Sequence, residues 1–233
     1  MMKKNTDYRG SRYPPEIIGY AVWLYHRFTL SFRDIEDLLA ERGVIVSYEA
    51  IRLWCIRFGP SYARQLRKKS HRFGDSWYLD ETSTVTIQGT GMYLWRAVDQ
   101  DGDLIDVLVQ KRKDKKAATR FFRKMLKHQG ETPNRITTDK LRSYGAAKRE
   151  VIPSVPHCQD RYANHRAEAH QHTREQERQM RRFKSLKQAQ RFLSTHGAVN
   201  NLFRLGRHLL RACHYQAFRA KAFGAWQQVA FAH

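Results

Sequence analysis

The spacing of apolar residues changes near Trp77, and that change divides the chain into a helical unit followed by one built on strands. Before it, Ile17, Ile18, Ala21, Val22, Tyr25 and Phe28 recur at the spacing of one buried helical face, with Pro14-Pro15 at its start. Ser31 is placed to cap a second helix, with Asp34 three residues on completing a variant capping box. Phe32, Ile35, Leu38 and Leu39 form its apolar stripe and Gly43 ends it. A short link, Val44 to Ser47, leads to a third helix with Ile51, Trp54, Cys55 and Phe58 inward, which Gly59-Pro60 is expected to close.

From Trp77 the alternation is that of strands. Trp77 to Ile87 reads as the first, and Gly89-Thr90-Gly91 as a turn. Met92 to Val98 and Leu104 to Lys111 flank Asp99-Gln100-Asp101-Gly102-Asp103, in which Asp101-Gly102 is a strong hairpin signal. Lys115 to His128 follows as a helix with Ala118, Phe121, Phe122, Met125 and Leu126 inward, stopped by Pro133. Arg135 to Thr138 forms a fourth strand, which a helical return places parallel to an earlier one. A further helix is expected from near Tyr162. The resulting β-β-β-α-β-α order is that of ribonuclease H-like α/β folds, here preceded by an all-α unit.

Three acids stand out on this frame. Asp80 lies in the first strand, Asp139 ends the fourth, and Glu168 opens the late polar helix. If the first and fourth strands pair, Asp80 and Asp139 come together, and a helix packed across that edge adds Glu168. Any one alone is ordinarily a turn former or a cap; the three in these places suit oxygen-loving divalent cations. Two such ions about 3.5–4 Å apart activate an attacking oxygen and stabilise a leaving one. Alternation points Glu81 to the face opposite Asp80, so it is not chosen as a ligand. Asp99, Asp101 and Asp103 read as turn chemistry. His157, Cys158, His165, His170 and His172 lack the paired spacing and thiols of a zinc site.

Charge names the partner class. Lys and Arg number 43 against 22 Asp and Glu, a formal +21. A polyanion relieves that self-repulsion by releasing its counterions, so nucleic acid leads over a merely basic structural protein. Three short helices with a tight turn before the last make a helix-turn-helix, whose final helix lies in the major groove. Tyr48, Glu49, Arg52 and Arg57 are outward there, and Arg52 is the candidate base reader because arginine grips guanine through two hydrogen bonds. Arg64, Arg67, Lys68, Lys69 and Arg72 form a basic segment suited to phosphates, and Arg161, Arg166, Arg174, Arg178, Arg181, Arg182, Lys184, Lys187 and Arg191 crowd the region around the third acid. Each run also reads as a solvated helix face. Three scattered cysteines, Cys55, Cys158 and Cys213, suggest a reducing cytoplasm rather than a disulfide framework. The basic start runs into Asp7, Arg9 and Arg12 with no apolar core, so no signal peptide is expected, and no apolar run approaches the ~20 residues of a membrane span.

Across nearly its whole length the chain resembles bacterial transposases of insertion-sequence family six, of the DDE group. The resemblance rests on Tyr8-Arg9-Gly10, Arg12-Tyr13-Pro14-Pro15-Glu16, Leu38-Leu39-Ala40-Glu41-Arg42-Gly43 and Tyr78-Leu79-Asp80-Glu81-Thr82. It continues through Tyr93-Leu94-Trp95-Arg96-Ala97-Val98-Asp99, Lys116-Ala117-Ala118, Arg120-Phe121-Phe122, Thr138-Asp139-Lys140 and Phe183-Lys184-Ser185. It implies Asp80, Asp139 and Glu168 as a catalytic, metal-binding triad for two Mg²⁺ or Mn²⁺ ions. It also implies a helix-turn-helix that reads terminal inverted repeats, DNA strand cleavage and transfer, and a homo-oligomer of at least two copies acting on element ends and target DNA near the bacterial nucleoid. Two departures stand out. The stretch from Asp139 to Glu168 is shorter than in some relatives. The family's basic residue seven places after the glutamate is here Glu175, with Arg174 one place early. A seven-residue step returns to nearly the same helix face and a six-residue step does not, so reduced activity is expected.

The expected organisation is a helix-turn-helix region over 1–60, a basic linker over 61–74, a ribonuclease H-like catalytic core over 75–195 and a helical tail over 196–233. The alternatives are a helix-turn-helix regulator carrying a catalytically inert ribonuclease H-like domain, and a ribonuclease H-type nuclease acting on RNA–DNA hybrids.

Overall fold

A computed structural model describes residues 8–28, 30–69, 73–159, 183–205 and 210–231, which fall into two compact units. One comprises residues up to 70 together with those from 194 onward; the other is residues 71–193.

In the helical unit, α1 (Pro15–Arg27) starts with a proline whose missing N–H would be unbonded at that position anyway. Its Ile18, Ala21 and Val22 are fully buried. The box before α2 (Phe32–Ala40) forms: Ser31 Oγ accepts from the Asp34 amide at 3.1 Å, and the Ser31 amide donates to Asp34 Oδ2 at 2.6 Å. Gly43, at φ 75°, takes the left-handed conformation that turns the chain out of α2.

The third helix departs from expectation. Gly59-Pro60 does not close it: α3 runs Tyr48–Lys69 with Pro60 inside. Proline removes one amide donor from the ladder and crowds the preceding turn. Tyr62, Ala63 and Leu66 lie beyond it, all buried, and their packing holds the helix together through the interruption. Residues 61–69 are therefore helix rather than linker.

The tail completes this unit. The last part of α6 (Leu186–Phe203) supplies Val199 and Phe203, and α7 (Ala212–Ala230) supplies Ala222, Trp226, Val229 and Ala230, to the same core as Ile18, Ile51 and Phe58. The approach of α7 to α1 requires a glycine. A Cβ on Gly19 would stand 2.7 Å from the Phe231 ring and 2.9 Å from Ala230 Cβ. Tyr8 ties this end together through hydrogen bonds with the Tyr62 hydroxyl and the Ala230 carbonyl.

The second unit is a five-stranded mixed sheet in the order β3-β2-β1-β4-β5. β1 (Ser76–Ile87), β2 (Thr90–Val98) and β3 (Leu104–Gln110) form an antiparallel meander. β2 begins two residues earlier than expected, because the turn is Gln88-Gly89, at φ 49° and 77°, with Ile87 paired to Thr90. Both turn residues have positive φ, the two-residue geometry that suits strand twist. At the next hairpin Asp99 does the turn chemistry: Oδ1 accepts from the Asp101 and Asp103 amides at 3.0 and 2.8 Å.

α4 (Lys115–Gln129) starts on Asp114, which accepts from the Ala117 amide at 2.9 Å. It ends at Gly130, φ 73°, before Pro133 is reached. The helical return then lays β4 (Arg135–Thr138) parallel to β1. Two elements were not anticipated: α5 (Arg142–Val151), and β5 (His157–Gln159), parallel to β4. Phe121, Phe122 and Met125 of α4 and Tyr144 and Ala147 of α5 cover the sheet face that presents Trp77, Leu79, Trp95, Ala97 and Ile105. At the β3 edge, the Gln190 amide group stands in for a neighbouring strand. It accepts from the Val109 amide at 2.9 Å and donates to the Val107 carbonyl at 3.0 Å. This meander, with its helix-connected parallel strand beside β1, is the ribonuclease H-like arrangement. The helix expected from Tyr162 lies outside the described residues.

Candidate active site

Parallel pairing of β1 and β4 puts the first two acids side by side. The ladder runs from Ser76 with Arg135 to Leu79 with Thr138; one residue beyond that last pair stand Asp80 and Asp139. Asp80 is 9% exposed, and Asp139 is half-buried where the chain leaves the sheet. Asp139 Oδ1 accepts from the Leu141 amide at 2.9 Å, a turn that directs the chain into α5. The strand end beneath it is braced by Thr138, whose Oγ1 donates to the Asp139 carbonyl at 2.8 Å. With that hydroxyl proton committed, His157 Nε2, 2.9 Å away, is the donor to Thr138 Oγ1. Burial, and Lys148 nearby, push the His157 pKa down, which keeps the ring neutral.

Arg96 is a neighbour that the sequence reading did not single out. It is Asp80's cross-strand partner, and its Nη2 donates to Asp80 Oδ2 at 3.2 Å. At 1% exposure this guanidinium is one of the most buried charges among the described residues. A buried pair recovers its desolvation cost only when well bonded, and removing one partner leaves the other charge stranded. Arg96 therefore holds Asp80 in place and balances its charge.

Glu81 lies on the opposite face, as alternation requires, paired with Trp95 beneath the helices. Its pKa is nonetheless raised to about 7, first by burial and then by the charges of Asp139 and Asp80, with Tyr144 and Lys113 acting the other way. Glu81 Oε2, Tyr144 Oη and Trp95 Nε1 are all buried without a hydrogen-bond partner. The Tyr144 phenol nonetheless acts on Glu81 and feels all three carboxylates; its own pKa is pushed well up by burial and then by Glu81.

Asp106 is a different kind of buried acid. It is 2% exposed, on the side of the sheet that α4 covers, where His128 Nδ1 lies 2.8 Å from Oδ2 and Lys124 Nζ meets Oδ1. Burial alone would raise its pKa; the His128 and Lys124 contacts outweigh burial and hold it below the usual value. This trio anchors α4 to β3.

Asp80 and Asp139 are oxygen donors of the kind that Mg²⁺ and Mn²⁺ take, and a cation there would offset the carboxylate repulsion that also reaches Glu81. Among the described residues, no set of three His, Cys, Asp or Glu is gathered closely enough to hold a metal ion. Glu168, Arg166, Arg174 and Arg178 lie outside the described residues.

The described residues of the candidate DNA-contacting set sit in the helical unit. Tyr48 is 40% exposed at the start of α3, its ring under the Arg33 guanidinium at 4.7 Å. Arg52 is gripped by Glu49. Arg57 Nη2 donates to the Arg9 carbonyl at 3.3 Å, and Arg67 Nη2 to the Ser194 carbonyl at 2.7 Å. Arg64 and Lys68 are exposed on the second half of the helix. Among the described residues no helix is long and apolar enough to cross a membrane.

Comparison with known proteins agrees with this architecture. The family profile DDE_Tnp_IS240, described as a DDE domain, matches residues 74–205. The chain is 30% identical over 210 residues to the transposase for insertion sequence-like element IS431mec of Staphylococcus aureus, covering 88% of this chain and 92% of that protein. It is 29% identical over the same shares to the transposase for insertion sequence element IS257 in transposon Tn4003 of that species. An uncharacterized protein of Yersinia pseudotuberculosis, pYV0051, is 33% identical over 84 residues, 34% of this chain and 78% of that protein. The chain belongs to the DDE transposases of insertion-sequence family six.

Proposed function

We propose that this chain binds the terminal inverted repeats of an insertion sequence and catalyses metal-dependent DNA strand cleavage and strand transfer. The observation that carries the reading is the β1–β4 register, which sets Asp80 beside Asp139 in a chain of net charge +21. Asp80, Asp139 and Glu168 are the proposed ligands. When bound, two Mg²⁺ or Mn²⁺ ions would supply activation of the attacking oxygen and stabilisation of the departing 3′ oxygen. The chain's own contributions are positional. Arg96 fixes the Asp80 carboxylate, the Asp139 turn fixes the second, and the basic residues Arg64, Lys68, Arg166, Arg174 and Arg178 neutralise backbone phosphates. Tyr48, Arg52 and Arg57 belong to the helix proposed to lie in the major groove, and Arg67 continues its basic side. Because two element ends must be brought together, at least two copies act in one complex. The shift of Arg174 off its usual helix position is proposed to slow this copy.

The test is cleavage and joining of a linear duplex carrying the element's ends by the full-length protein, with Mg²⁺ or with chelator. Activity is expected only with the metal. Asp80→Asn, Asp139→Asn and Glu168→Gln should each abolish it while leaving end binding intact, and inserting one residue between Glu168 and Arg174 should raise it. Cleavage by Asp139→Asn at the parental rate would sink the reading. A regulator would bind the same ends and be indifferent to all three substitutions.

A further inference from the structure

The first turn of α3 holds a charged pair whose geometry is more specific than its charge. Arg52 Nε donates to Glu49 Oε2 at 2.8 Å and Nη2 donates to Oε1 at 2.5 Å. The pair is solvent-facing, with side-chain exposures of 40% for Arg52 and 49% for Glu49. Exposed pairs of this spacing contribute little to folding, so helix stability is a weak reason for it. A guanidinium has two forks: a side fork, Nε with Nη2, and an end fork, Nη1 with Nη2. Glu49 takes the side fork. The end fork, on which no acceptor among the described residues closes, keeps two parallel N–H donors matched to guanine O6 and N7 in the major groove. Adenine would present its N6 amino donor to that fork and be refused. Holding the long side chain in one rotamer in advance removes part of the ordering cost of binding. Exposed apolar residues flank the pair in sequence. Leu53, the next residue, is 51% exposed, and Ile45, just before the helix, is 77% exposed.

We propose that Glu49 is a positioning residue that holds Arg52 end-on for one guanine in the DNA sequence this chain recognises. The inference rests on the reading of α3 as the helix that enters the major groove, and it names the base and the device that reads it.

The experiment is selection by the full-length protein from a randomised duplex pool, followed by affinity measurements on the selected duplex. The parent should enrich a guanine at a position where 7-deazaguanine, which lacks the N7 acceptor, weakens binding. Arg52→Ala should lose the preference at that position alone and bind the selected duplex on the order of tenfold to a hundredfold more weakly, the range for one bidentate base contact. Glu49→Ala should keep Arg52's charge and the binding of unrelated DNA but relax the choice at the same position; Glu49→Gln, which retains one acceptor, should restore part of it. Matching helical circular dichroism separates this from loss of fold. If Arg52→Ala selects the parental sequence unchanged, the assignment is overturned. If Arg52→Ala relaxes the position and Glu49→Ala does not, the positioning role of Glu49 is overturned while the base reader stands. A parent that selects no sequence overturns both this inference and the reading of α3 beneath it.

Discussion

Asp80 and Asp106 are both buried aspartates, each facing a cation, yet they do different work. Asp106 is enclosed by Lys124 and His128 and has no open side. Asp106→Asn should therefore destabilise the sheet unit by about 1–3 kcal/mol, the range for weakening the charged hydrogen bonds of a buried carboxylate, as read by chemical denaturation. Asp80 pairs with the Arg96 guanidinium, itself 1% exposed, so Asp80→Asn should lower the stability of the sheet unit as well as abolish chemistry. Glu81 supplies a test with a pH signature. An acid whose pKa rises from 4.5 to about 7 on folding opposes folding as pH climbs through that window. Glu81→Gln should consequently raise the thermal midpoint at pH 8 and change it little at pH 4.5; the reverse order would contradict the account. At this scale Asp80 and Asp139 were legible as a pair of strand-borne acids. Arg96 was not, for a definite reason. Counting back from Ile87 opposite Thr90 would set Asp80 against Ala97. An irregularity between Thr82 and Val85 shifts the register by one residue and brings Arg96 across instead. No spacing rule announces a bulge.

Among the elements, caps and hairpins were readable because their chemistry is local. The Ser31 box is an example: Ser31→Ala should cost about 1 kcal/mol, measured as lost helical stability. Pro60 shows the opposite case. Its ring blocks one ladder bond, and by propensity alone the helix should stop there. It continues because Tyr62, Ala63 and Leu66 are buried by residues distant in sequence. Pro60→Ala should restore the missing bond and stabilise the helical unit by about 1–3 kcal/mol in denaturant titrations; destabilisation would show that the local bend is needed for packing. The strand β5 was missed because three residues offer no measurable alternation, and its existence depends on the edge that β4 presents.

On the scale of the whole molecule, the chain's two ends meet in one core, and that core carries a pair of buried histidines. His196 Nδ1 donates to the His26 carbonyl at 2.8 Å, which leaves Nε2 to accept from Asn200 Nδ2, also at 2.8 Å. Asn200 Oδ1 in turn accepts from Arg27 Nη1 at 2.9 Å. Burial first, and then His196 beside His26, lowers the pKa of His26 to about 3; burial lowers His196 to about 4, with the His26 carbonyl acting the other way and Arg27 adding to the fall, from an ordinary 6.5 for each. The unfolded chain therefore binds more protons over that interval. Their contribution to stability is complete above pH 6.5 and falls as pH drops below it, with a slope approaching about 1.4 kcal/mol per pH unit for each ring. Denaturant titrations at pH 7.5, 6 and 5 should show the fall, more steeply in Glu81→Gln, whose parent residue works in the opposite sense; a flat profile in that variant would rule the pair out as the cause. The sequence alone determined the change from helical to alternating period, the caps, the hairpins and the basic charge, since each follows from residues within a turn or two of one another. Tertiary structure alone decided that Asp80 meets Arg96, that α3 runs through Pro60, and that residues from 194 onward close the core begun by α1. Those outcomes depend on which surfaces are buried against which, a balance struck between residues far apart along the chain.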